Sequence, residues 1–264
     1  MSEEKIRRLE DDVLRLEKRL NEIYRQRKGL HVEPGKNMLG QNTRIDGDLF
    51  LTGEINRQSN GWTKFNSAIL PVYVSATSVR FDGIDLSSVF PGVTKIKLTQ
   101  TTVKYFYVIA AAYSAGNTTL TLIGGSDCTV ANAAITNFHY SHEAVAAGFP
   151  DWFNYVPTLT GWSTQPTGTY HYCVIGKTCI VLIKQATDGT SNSTTTRITL
   201  PINSALENMA ACQIRNAGAN VSTPGLAKVY EGLGYIGFFV GWDGTAFSST
   251  DSKGILTCCI TYNI

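Results

Sequence analysis

The first apolar positions along the chain fall into a heptad. Ile6, Leu9, Val13, Leu16, Leu20 and Ile23 are separated by 3, 4, 3, 4 and 3 residues. Ile6, Val13 and Leu20 therefore take the a positions, and Leu9, Leu16 and Ile23 the d positions, of an amphipathic helix. No Pro or Gly interrupts residues 1–28. At 1.5 Å per residue the seam is only about 27 Å long, and an isolated helix of that length is marginal in water. A stripe this narrow, with charge on the other faces, buries itself best against copies of itself. The competing arrangement is the same helix docked on the chain's own β region. Mixed Ile, Val and Leu at a and d does not choose between two and three strands. "KIRRLE" (5–10) is similar to the short trimer signature of coiled coils, with Lys5 in place of an arginine that would offer a bidentate fork.

Gly29, Pro34, Gly35 and Gly40 end the helical pattern and open a linker. From there the period changes to two. "RIDGDLFLTGEIN" (44–56) reads as a β neck. "ILPVYVS" (69–75), "SVRFDG" (78–83), "TKIKLTQ" (94–100), "TVKYFYVIAAAYS" (102–114) and "TTLTLIGG" (118–125) are β-branched and aromatic runs bounded by turn residues. "KIKLT" and "TLTLI" alternate strictly, which predicts one buried and one wet face; "YSAGNTT" predicts a hairpin turn. Residues 131–148 carry no clean period and read as a short helix or an exit from the domain. Beyond them "GTYHYCVIGKTCIVLIKQAT", "TTTRITLPI", "ACQIRN", "LAKVYE", "YIGFFVGW" and "GILTCCITYNI" predict about seven short strands of sandwich or jelly-roll type. The expected organisation is mainly β: a coiled-coil helix over 1–28, a linker and β neck over 29–60, and two β-sandwich-like domains over 61–148 and 149–264.

Composition sharpens the division. Residues 1–28 hold 9 basic and 7 acidic side chains, whereas the other 236 residues hold 14 of each sign. The near balance in the helix argues against a basic membrane-surface role, and a net charge of +2 argues against a nucleic-acid footprint. No apolar run reaches the roughly 18 residues of a membrane span, and the N-terminus lacks the apolar region of a signal peptide. Synthesis in a cytoplasm and no membrane insertion are the expectations. The six cysteines form no C-x-x-C pair, so a zinc ribbon is not expected and reduced, buried thiols are.

The order of a short N-terminal coiled coil, a "DGDLFLTGEI" neck and a β-rich C-terminal part resembles bacteriophage tail fibre and receptor-binding proteins, and virion fibre proteins more widely. Three segments carry the resemblance: 44–56, 81–125 with its "G-x-K-I-K-L" and "YFYV" strands, and 155–202 with "G-x-Y-x-x-x-G-K" and a closing "LP". The resemblance implies a homotrimer, attached through its N-terminal helix to a tail or baseplate protein of the virion and binding a glycan or protein of the host surface. A head fibre or baseplate scaffold that binds only other virion proteins is the alternative. A polysaccharide depolymerase ranks behind both, and a trimeric head of the tumour-necrosis-factor or complement type is disfavoured by the missing signal peptide.

Catalytic chemistry is weakly signalled. His139, His142 and Glu143 form H-x-x-H-E, which is neither of the zinc protease orders. Asp46 with Asp48, and Asp82 with Asp85, sit in Gly-rich turn sequence, where Asp is an ordinary turn former. There is no G-x-S-x-G elbow and no P-loop. No enzyme activity, cofactor or metal is expected. Binding is the better prospect, because aromatic rings flanked by polar turns stack on apolar faces of a ligand. Trp162, Tyr170, Tyr172 and Trp242, with Asp188, Asn192 and Asp243 as hydrogen-bonding neighbours, are the candidate receptor-binding residues, and Tyr235 lies in similar sequence. About half of these aromatics should be core, and Trp162 and Trp242 are the two expected at the surface.

Overall fold

A computed structural model describes residues 13–19, 61–65 and 69–264. The chain divides into two compact units, Met1–Ile55 and Asn56–Ile264. In the first, residues 13–19 are helical and every one is exposed. Val13 and Leu16, an a and a d position, are 51% and 65% exposed. The other heptad residues Ile6, Leu9, Leu20 and Ile23, and the β neck read at 44–56, lie outside the described residues. Among the described residues no helix is long and apolar enough to cross a membrane.

The second unit is built from β-sheet. Its first sheet comprises β1 (Thr63–Lys64), β2 (Val72–Ser75), β3 (Ser78–Phe81), β4 (Thr94–Thr99), β5 (Val103–Ser114), β6 (Asn117–Ile123) and β7 (Thr136–Ser141). The strands lie in the order β1-β7-β4-β5-β6-β3-β2, all neighbours antiparallel. The alternation legible in "KIKLT" and "TLTLI" is real: Thr94, Ile96 and Leu98 of β4, and Thr118, Leu120 and Leu122 of β6, are buried while the residues between them are not. These faces meet Phe81, Phe90, Phe106 and Phe138 in one core. Ala115 and Gly116, at φ of 50° and 80°, make the β5–β6 turn. Both central residues of such a two-residue loop need positive φ, which glycine adopts without a Cβ penalty. Residues 131–148, read as a helix or an exit, instead supply β7, which is hydrogen-bonded between β1 and β4. Its buried Phe138 and Ser141 are separated by two half-buried residues, which hides the period of two.

The second sheet comprises β8 (Phe153–Asn154), β9 (Leu159–Thr160), β10 (Trp162–Thr164), β11 (Gly168–Ile175), β12 (Thr178–Gln185), β13 (Gly189–Ser191), β14 (Thr196–Thr199), β15 (Asn208–Asn216), β16 (Ala219–Asn220), β17 (Gly225–Val229), β18 (Tyr235–Phe239) and β19 (Ser252–Asn263). Its main path runs β8-β11-β12-β19-β15-β17-β18-β14-β9, with β10, β13 and β16 as side pairings. Laid flat, nine strands would put the two edges about 38 Å apart. Yet β8 and β9 are joined by residues 155–158 alone, a step that reaches roughly 18 Å at most. The sheet therefore curls round its own core, and one continuous hydrogen-bonded sheet stands where two facing sheets were expected. Cys179, Val181, Ile183, Ile214, Ile236, Phe238, Ile260 and Tyr262 fill the interior.

The two sheets share a buried contact. The Tyr172 hydroxyl donates to the Gly124 carbonyl at 2.9 Å, and the Ser126 N–H donates to the Asn154 carbonyl at 2.7 Å. Tyr107, Phe149 and Phe153 pack ring to ring at 4.9–5.5 Å, mostly edge to face, and Phe153 stacks on Tyr172 at 5.6 Å.

Candidate binding surface

The ends of β12, β15 and β18 and the starts of β14 and β19 converge at one end of the curled sheet, as their registers require. Two loops cover that end: the β13–β14 connection and the twelve-residue β18–β19 connection over 240–251. They are tied together, since the Ser191 N–H donates to the Asp251 carbonyl at 2.8 Å and its hydroxyl donates to the Ser248 carbonyl at 2.6 Å. The Ser248 N–H in turn donates to the Asn216 side chain at 2.9 Å.

Four of the candidate residues gather here. Trp242 is 57% exposed, as its flanking glycine and polar residues suggested. Its loop is a closed turn in which the Val240 N–H donates to the Thr245 carbonyl at 2.7 Å. Asp243 is exposed and accepts from the Thr245 N–H and hydroxyl at 2.9 and 2.7 Å; these hydrogen bonds hold its carboxyl below the usual range. Asn192 is exposed, and its N–H donates to the Gly161 carbonyl at 3.1 Å. Asp188 is committed to structure: it pairs with Arg215 at 3.4 Å and its side chain is only 16% exposed.

The remaining candidates are placed elsewhere. Trp162, expected at the surface, is 4% exposed. Gly161 turns the chain with φ of 103°, and pairing of β10 with β13 sets Trp162 opposite the buried Ser191. The indole N–H donates to the Lys253 carbonyl at 3.1 Å. Flanking glycine and polar residues signalled this turn, not exposure. Tyr172 is likewise core, at 0% exposure. Tyr170 is half-buried; its hydroxyl accepts from the Gln185 amide at 3.3 Å, and it lines an open groove of about 650 Å³ beside residues 154–159. Tyr235 is half-buried under the Arg197 guanidinium, 4.2 Å from the ring centre.

Lys253 went unnoticed in the sequence and organises this end of the sheet. It is fully buried. Its Nζ donates to the Ser193 carbonyl at 2.7 Å and to the Thr196 hydroxyl at 2.9 Å, between the rings of Trp162 and Phe247 at 5.1 and 5.6 Å. Among the described residues no carboxylate stands within ion-pair distance of it. Desolvation lowers its pKa to about 8. The ammonium therefore pins the β13–β14 loop onto the start of β19, beneath the loop that carries Trp242.

The other motifs are occupied locally. The Arg80 guanidinium donates to Asp82 at 2.6 Å, and Asp85 accepts from the Ser87 N–H and hydroxyl. His139 Nδ1 lies 2.7 Å from the Asn137 carbonyl, and burial lowers its pKa. His142 packs edge-on against Tyr140 at 5.4 Å. Among the described residues no group of three or more His, Cys, Asp or Glu side chains converges in a metal-holding cluster. Asp46 and Asp48 lie outside the described residues. No protein-family model, no curated protein and no solved structure matches this chain.

Proposed function

We propose that the chain is a bacteriophage virion structural protein, a homotrimeric tail fibre or receptor-binding protein that attaches to a glycan or protein of the host surface. The single observation that carries this reading is the pairing of an uncovered heptad seam, Val13 and Leu16, with a β unit whose end presents Trp242, Asp243 and Asn192 to solvent. A seam at heptad spacing is satisfied by further copies of the same helix. An aromatic ring beside a carboxylate and an amide is the composition that stacks on and hydrogen-bonds a polar ligand. The stalk multiplies weak sites into avidity without new contacts.

The test is adsorption of labelled full-length protein to whole bacterial cells and to their extracted surface polysaccharides. Saturable adsorption that weakens at least tenfold in Trp242→Ala supports the reading. Failure to adsorb to any of the cells, together with stable binding to purified tail or baseplate proteins, would assign the chain to the scaffold role instead.

A further inference from the structure

The second sheet places two cysteines side by side in its interior. Cys212 of β15 is directly opposite Cys258 of β19, both face inward, and both are buried. Whether such a pair can be bridged depends on which kind of antiparallel position it occupies, and the neighbouring ladder settles that. The Ile264 N–H donates to the Lys177 carbonyl at 3.0 Å, so that pair is hydrogen-bonded. From there the β12–β19 register runs without a shift to Ile183 opposite Cys258. Hydrogen-bonded and open pairs alternate along an antiparallel ladder. Tyr262, Ile260 and Cys258 thus direct their backbone groups toward β12, and Asn263 and Thr261 direct theirs toward β15. Two contacts agree: the Ala205 N–H donates to the Asn263 carbonyl, and the Asn208 side chain donates to the Thr261 carbonyl.

Cys258 therefore meets Cys212 as a non-hydrogen-bonded pair. Such pairs have Cα atoms about 4.5 Å apart and side chains drawn together, within the span of roughly 4.4–6.8 Å that a disulfide bridges. We propose that Cys212 and Cys258 are a disulfide-forming pair, closed by thiol–disulfide exchange with a low-molecular-weight disulfide such as oxidised glutathione. One cysteine thiolate attacks a sulfur of the small disulfide and releases the first small thiol. The second cysteine thiolate attacks the resulting mixed disulfide at the protein sulfur and releases the second. Two cysteine thiols lose two protons and two electrons, and one small disulfide is reduced to two thiols. Contact between the thiols and burial both suppress ionisation of Cys258, and thiolate is the attacking species. Exchange is accordingly slow in the closed sheet and fast when β19 is open, as it is during folding. The bond closes the loop from 212 to 258, which contains β17, β18 and the Trp242 loop, and so braces the presenting end of the molecule.

The test uses the full-length protein, all six cysteines present, incubated with oxidised glutathione both as folded protein and during refolding from denaturant. The expected products have four free thiols, a mass lower by about 2 Da and a proteolytic fragment linking Cys212 to Cys258. The unfolding midpoint should rise by about 5 °C or more over the dithiothreitol-treated form. Cys259→Ser, which removes only an exposed thiol, should leave all of this unchanged, and Cys212→Ala should abolish the midpoint shift. Six free thiols after both treatments, or linkage of other cysteines in place of this pair, would overturn the inference.

Discussion

The Tyr107 hydroxyl and the Val174 backbone satisfy one another completely: the phenol oxygen accepts the Val174 N–H at 3.3 Å and donates to the Val174 carbonyl at 3.2 Å. Tyr107 stands on β5 of the first sheet and Val174 on β11 of the second, so this exchange joins the two. Burial raises the phenol pKa to about 12. Tyr107→Phe leaves a buried N–H and a buried carbonyl without that partner, an omission worth roughly 1–3 kcal/mol. Urea unfolding of the variant should show a midpoint lowered accordingly. An unchanged midpoint would mean that water replaces the hydroxyl and that the contact between sheets is wetter than described.

Much of this architecture is legible in the sequence, and the misreadings have physical causes. Strict alternation predicted the buried faces of β4 and β6, and "YSAGNTT" predicted the turn at Ala115 and Gly116. Trp242 is exposed as its neighbours suggested, but Trp162, with similar neighbours, is not. Local composition reports a turn, and whether the turn points inward depends on pairing 29 residues away, with Ser191. Lys253 was hidden by parity. Tyr262, Ile260 and Cys258 face inward at even numbers, yet Lys253 is buried at an odd one. The cause is a register shift in which Gln213 faces Thr257 but Ile214 faces Ile255, so that Leu256 is an extra residue. A bulge of this kind reverses the facing of everything beyond it.

The buried ammonium of Lys253 makes a signed pH prediction. Its folded pKa, about 8, lies below the ordinary value of 10.5. Between those values the unfolded chain binds more protons than the folded one, so this residue's contribution to stability rises with pH. Its cost is fully present below about pH 8 and is relieved toward pH 10.5. The stability of wild type relative to Lys253→Met should therefore climb across that window, by an amount of order 3 kcal/mol if the whole shift is realised. A difference that does not vary with pH would show that Lys253 is hydrated in solution.

Gly161 tests the geometry that buries Trp162. A Cβ on Gly161 would lie 2.1 Å from the Thr195 carbonyl oxygen, at a φ of 103°. Gly161→Ala should destabilise the protein by roughly 2 kcal/mol or more and red-shift the Trp162 fluorescence as the indole is displaced toward water. Wild-type stability in this variant would contradict the described path of β10.

Trp242 should behave in the opposite way. Its ring is largely in solvent, and surface substitutions away from special features usually change stability by less than about 0.5 kcal/mol. Trp242→Ala should unfold at the wild-type denaturant midpoint while losing adsorption to cells. A large loss of stability would place Trp242 in a packing role and remove it from the binding surface.

The solution mass of the full-length protein by light scattering decides whether copies of this chain assemble through the heptad of residues 6–23. A trimer has a mass of about 86 kDa, three times the 28.8 kDa chain, and Leu9→Asp with Leu16→Asp should lower it. A mass of 28.8 kDa for the wild-type protein would contradict the stalk, and with it the multivalent attachment built upon it.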